Sequence, residues 1–188
     1  MMARALRIRL AAAVAAALVA AAAIAQEEPR TYDIPARGKL TFSVPANWFD
    51  EPKVAATGIP TIRFFDQLKP PRDFDMSVTV LWTPPGASPY SSKASLRTLV
   101  QQAAEDVAQG AAERAFPLQE FPVEGGAGFF FEATARFAKA GEPSYLTRGA
   151  LASGDVTITF TILTTDPKSP AIGQAIEMLR GARREAGQ

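Results

Sequence analysis

From residue 38 onward the chain alternates. Leu40, Phe42 and Val44 take turns with Lys39, Thr41 and Ser43, and a period of two marks a strand with one buried face. Pro45 lacks an amide hydrogen and stops the ladder. The "PANW" that starts there reads as a turn folding Trp48 and Phe49 back over the core edge. Period two returns at residues 61–65 and again at 75–82, where Met76, Val78, Val80 and Trp82 share one face against Ser77, Thr79 and Leu81. "TPPGASPYSS" then breaks the pattern and delivers Ser92 as a helix N-cap. Leu96, Leu99, Val100, Ala103 and Val107 recur at helical spacing, which predicts a helix over 93–109 ended by Gly110.

The rest is mostly strand. A proline-bearing edge strand is predicted over 116–124, then strands over 129–138, 145–153 and 155–165. In the last, Val156, Ile158, Phe160 and Ile162 alternate with Thr157, Thr159 and Thr161. Ile172, Ala175, Ile176 and Leu179 place a second helix over about 169–184. The order is β-β-β-α-β-β-β-β-α. Short links require antiparallel neighbours, and each amphipathic helix needs a sheet face to cover. The expected class is α+β: a curved antiparallel sheet of six to seven strands flanked by two main helices.

The first 25 residues follow another rule. Arg4, Arg7 and Arg9 precede an alanine-rich apolar run of 16 residues, and Ala23-Ile24-Ala25 offers small residues at a cleavage site. That is a secretory signal, cut after Ala25. The run is short of the roughly 20 residues of a membrane span, although an uncleaved anchor is the alternative. Without cysteine a lipid-modified cysteine anchor is excluded. Residues 26–36 read as an extended N-terminal arm and 37–188 as a single domain. Removing three arginines from 20 basic residues leaves 17 against 19 acidic ones, a net charge of −2. That balance gives no electrostatic case for nucleic acid. The expected location is periplasmic or secreted.

The alternation also sorts side chains into two faces. Opposite the aliphatic one come Lys39, Thr41, Arg63, Thr79, Glu132, Thr134, Arg136, Arg148, Thr157, Thr159 and Thr161. Two readings fit: a solvated face with cross-strand Arg–Glu pairs, or a surface that docks a partner or binds an anion. For the second, Arg63, Glu132, Arg136, Arg148 and Thr159 are the candidate residues. Phe129, Phe131 and Phe137 are expected in the core, with Phe130 pointing the other way as a possible exposed anchor. Trp48 and Trp82 are candidates to line a ligand pocket between sheet and helix.

Chemistry is limited by what is missing. With no His and no Cys, Ser-His-Asp and Cys-His catalysis and His- or Cys-built zinc sites are excluded. "DFDMS" lacks the glycine of a calcium loop, and "GGAGFFF" opens a strand where a phosphate loop opens a helix. No catalytic residue, metal ligand or cofactor is assigned, and the chain is read as non-enzymatic.

The stretch Gly38-x-Leu40-x-Phe42-x-x-Pro45-x-x-Trp48 resembles the first strand of the PsbP-like superfamily, which includes bacterial envelope domains of the DcrB type. The order of elements from Gly38 to about Arg184 is also similar. The resemblance implies an α/β/α sandwich used for docking, without shared catalytic residues. It carries no metal role here, because members tied to metals rely partly on histidines. Two functions stay open: an accessory domain docking to an envelope or membrane-associated protein, and a small-ligand carrier.

Overall fold

The computed structural model describes residues 27–83, 89–139 and 141–187; the expected signal segment lies outside them. The strands are β1 (Glu27–Ile34), β2 (Gly38–Pro45), β3 (Phe49–Val54), β4 (Pro60–Phe65), β5 (Phe74–Leu81), β6 (Gln119–Val123), β7 (Gly126–Thr134), β8 (Tyr145–Ser153), β9 (Val156–Thr164) and β10 (Arg183–Ala186). Helix α1 (Lys93–Val107) follows β5, and α2 (Pro170–Arg180) follows β9. Seven strands form one antiparallel sheet in the order β3-β4-β5-β9-β8-β7-β6, and β1-β2-β10 form a second. The α+β class and the seven-stranded sheet flanked by two helices are as the sequence predicts.

Two cores lie on opposite faces of the large sheet. On the inner face, Phe64, Met76, Val78, Ile158, Phe160 and Ile162 pack against Leu40, Phe42 and Val44 of β2 and against Met178 and Leu179 of α2. On the outer face, Leu96, Val100 and Ala104 of α1 pack on Phe129 and Phe131 of β7 and Ala150 of β8. Ser92 caps α1 by accepting the Ser95 amide at 3.0 Å, which satisfies one of the helix's orphan donors.

Three elements depart from the sequence expectation. The arm is not free: its extended residues form β1, paired with β2 from Glu27↔Pro45 to Ile34↔Gly38, because Tyr32 and Ile34 bury one face. Residues 49–54 form an edge strand on β4, although Pro52 and four exposed positions hide any alternation. The second helix stops at Arg180, with Gly181 as its cap, and residues 183–186 turn into β10 alongside β2.

The aromatic assignments also need correction. Phe130 is buried among Phe121 and the inner core, at 9 % exposure, while Phe137 is 83 % exposed. Strand β7 is apolar on both faces, so Phe129 and Phe131 serve α1 while Phe130 serves the other core. Phe137 lies beyond the strand's end at Thr134.

Candidate functional site

Helix α1 packs on β7 and β8. It leaves the outer face of β4, β5 and β9 without a helix. Register fixes what that face carries. One cross-strand row runs Glu51, Arg63, Ser77, Thr161, Arg148 and Phe131. The next runs Thr61, Thr79, Thr159, Ala150 and Phe129. The hydroxyls of Thr61 and Thr79 lie 3.1 Å apart, and the Thr159 hydroxyl donates to the Thr79 carbonyl at 3.4 Å. Where the covered half meets the open half, a groove of about 320 Å³ runs between α1 and the sheet. Its floor carries Ser77, Thr159, Thr161 and Arg148, and its helix wall is Leu99, Val100 and Ala103.

Arg63, Arg148 and Thr159 therefore share the outer face. Arg63 and Arg148 stand three strands apart, roughly 14 Å at ~4.8 Å per strand. Arg63 is engaged by Asp75 through Nε at 2.7 Å and through a second contact from Nη2. That hydrogen bond raises the Arg63 pKa above its ordinary value. Arg72 reaches the same carboxylate at 3.3 Å and lies 3.9 Å over the Phe65 ring. Arg148 differs: the residue is half-buried, and among the described residues its guanidinium has no ion pair and no hydrogen bond.

Glu132 and Arg136 do not belong to this surface. Glu132 pairs with Thr147, on the side opposite Phe131 and Arg148, and accepts from Gln119 Nε2 at 3.0 Å. Arg136 lies past the end of β7 and donates to the Ala111 carbonyl at 2.7 Å. Continued alternation placed both on the polar face; β7 turns its even positions to the other side, and it ends before Arg136. The tryptophans do not share a pocket either. Trp48 stacks on Phe74 at 4.2 Å in the inner core, at the start of β5, and Trp82 follows that strand's last residue. Eight residues at ~3.4 Å separate Phe74, on which Trp48 stacks, from Trp82 by about 27 Å. A groove between helix and sheet lies instead under α1, and its wall depends on how α1 is placed across the strands, which no local window of sequence gives.

Among the described residues there is no group of three or more His, Cys, Asp or Glu arranged to hold a metal ion. No helix there is long and apolar enough to cross a membrane.

The architecture is that of the PsbP-like fold. Cyanobacterial PsbP (CyanoP) from Synechocystis sp. PCC 6803, known from a solution structure, superposes with a TM-score of 0.54 at 14% identity, over 87% of this chain and 95% of its own. A Bacteroides thetaiotaomicron VPI-5482 protein superposes with a TM-score of 0.52 at 10% identity, over 85% of this chain and 49% of its own. At those identities it is the fold that is shared. No protein-family model and no curated protein sequence matches the chain.

Proposed function

We propose that this chain is an exported, non-enzymatic accessory domain. Its signal is removed after Ala25, and residues 26–188 act as one domain in the periplasm or outside the cell. The domain docks to an envelope or membrane-associated protein through the open half of its outer sheet face. The observation that carries this is the partial cover given by α1: it leaves a hydroxyl-lined surface over β4, β5 and β9. Arginine forks and threonine hydroxyls recognise acidic and polar groups by directional hydrogen bonds. The absence of histidine and cysteine removes the commonest nucleophile–base devices, which supports a binding role over catalysis.

The test is capture from an envelope extract by residues 26–188. Arg63→Ala with Arg148→Ala is expected to lose the captured partner, while Arg136→Ala, on a different surface, retains it. Equal capture by all three proteins rejects the docking face. A second reading, a small-ligand carrier, is favoured by the groove between α1 and the sheet. A small molecule recovered with the domain, in place of a protein, selects it.

A further inference from the structure

The groove under α1 has a polar floor, an apolar wall and one uncompensated charge. We infer that it binds a small amphiphilic monocarboxylate, with the carboxylate against Arg148 and the hydrocarbon tail against α1. This rests on the carrier reading and specifies its ligand.

The charge argument comes first. The acids on the outer face of the sheet are committed elsewhere. Asp75 takes both Arg63 and Arg72, and Glu51 pairs with Lys53 at 3.0 Å. Arg148 stands between Thr161 and Phe131 in its row, with Leu146 and Ala150 beside it on the same strand face. With no counter-charge among the described residues, its guanidinium is left to water for its hydrogen bonds, and a planar carboxylate matches its fork with two parallel hydrogen bonds. One cation calls for one negative charge, which favours a carboxylate over a doubly charged phosphate. Thr161 beside Arg148, and Ser77 one strand further along that row, offer hydroxyl donors for the remaining oxygen lone pairs.

Size and polarity define the rest of the ligand. A space of 320 Å³ holds about ten non-hydrogen atoms if each takes roughly the ~30 Å³ of a liquid water. Octanoate has that size. Leu99, Val100 and Ala103 on the helix and Leu81 on β5 line the groove beyond the arginine, and they offer a tail apolar contact that water cannot use. A mostly apolar cleft with a few convergent polar groups is the usual form of a small-ligand site.

The test titrates residues 26–188, labelled with 15N, with butyrate, hexanoate, octanoate and 1-octanol, following amide shifts. Saturable shifts are expected at Arg148, Ser77 and Thr159 and along Leu99 to Ala103, with affinity rising from butyrate to octanoate. Arg148→Met is expected to weaken octanoate about 10- to 100-fold, the loss of a charge-assisted pair. Ala103→Phe, which fills the groove from the helix side and leaves the arginine in place, is expected to abolish binding and keeps the test open should Arg148→Met fail to fold. Octanol binding as tightly as octanoate, insensitive to Arg148→Met, overturns the carboxylate and leaves the carrier reading standing. Shifts confined to another surface, or none for any probe, overturn the inference.

Discussion

A β-carbon on Gly149 would lie 2.2 Å from the Phe129 carbonyl oxygen, 2.6 Å from the Phe160 ring and 2.7 Å from Phe130 Cβ. A backbone carbonyl, a core ring and the root of a second core side chain occupy that space, so nothing there yields cheaply. Gly149→Ala is expected to cost about 1–3 kcal/mol in urea unfolding, the range for overpacking a filled core. Gly173→Ala meets nothing within 4 Å in α2 and is expected to be neutral or slightly stabilising. A second residue-scale prediction concerns Tyr32. Burial pushes its phenol well above the ordinary value, and the neighbouring Asp50 carboxylate, by its charge and as a nearby acceptor, adds to the effect; the hydroxyl nevertheless makes no contact of normal hydrogen-bond geometry. The folded state keeps this phenol protonated where the unfolded chain ionises. Its contribution is therefore whole below about pH 10 and declines above it, by about 1.4 kcal/mol per pH unit. Tyr32→Phe should show a shallower loss of stability between pH 10 and 11.5 than the parent, and a change within ~1 kcal/mol at pH 7, because an unpartnered hydroxyl is replaced by nothing polar. Parallel alkaline curves for the two proteins would contradict this. Neither residue announced itself in the sequence: Gly149 lies in a run that reads simply as strand, and Tyr32 sits among prolines and charges.

Elements were legible where one face is greasy and the other is not. Strands β5, β8 and β9 and helix α1 carry clean alternation or a single stripe, and their limits match the pattern within two residues. Strand β7 has three consecutive phenylalanines and two buried faces, so no period can say which ring points where. That reversed parity moved Glu132 off the proposed surface, and the strand's end at Thr134 took Arg136 out of the sheet. Strand β10 is four residues, Arg183 to Ala186, three of them charged, and takes its form from what it touches. Arg184, only 7 % exposed, reaches Asp155 at 3.1 Å, and Arg37 reaches the same carboxylate at 3.2 Å. One acid in the β8–β9 turn thus ties the β1–β2 turn to the last strand, a contact no local window contains. Asp155→Ala leaves two largely buried guanidiniums without their acid. A loss of about 1–3 kcal/mol is expected, less than for a fully buried pair because Asp155 is itself partly exposed. Amide exchange in residues 183–186 should accelerate with it. Unchanged exchange there would mean that β2 alone holds β10.

At the scale of the whole molecule, the inner core is closed by the first and last strands of the domain, and both pair with β2. Which layer covers which face depends on pairings such as β2 with β10, more than 140 positions apart, and that distance is why the sequence showed a sheet and two helices but not a second sheet. It also turns the proposed processing site into a stability question. Strand β1 starts at Glu27, one residue after the Gln26 that would begin the mature chain. Residues 26–188 should thus keep every pair of β1 and unfold in one cooperative transition. Removing residues up to Ile34 deletes all eight strand residues. It also strips Tyr32 and Ile34 from the core, at about 1.5–3 kcal/mol for each side chain. Against a typical total of about 5–15 kcal/mol, the shorter chain is expected to lose a large part of its stability, read as a lower urea midpoint and faster proteolysis at 25 °C. If residues 35–188 instead fold as stably as 26–188, β1 is the loose arm its composition implies, and the domain begins at β2.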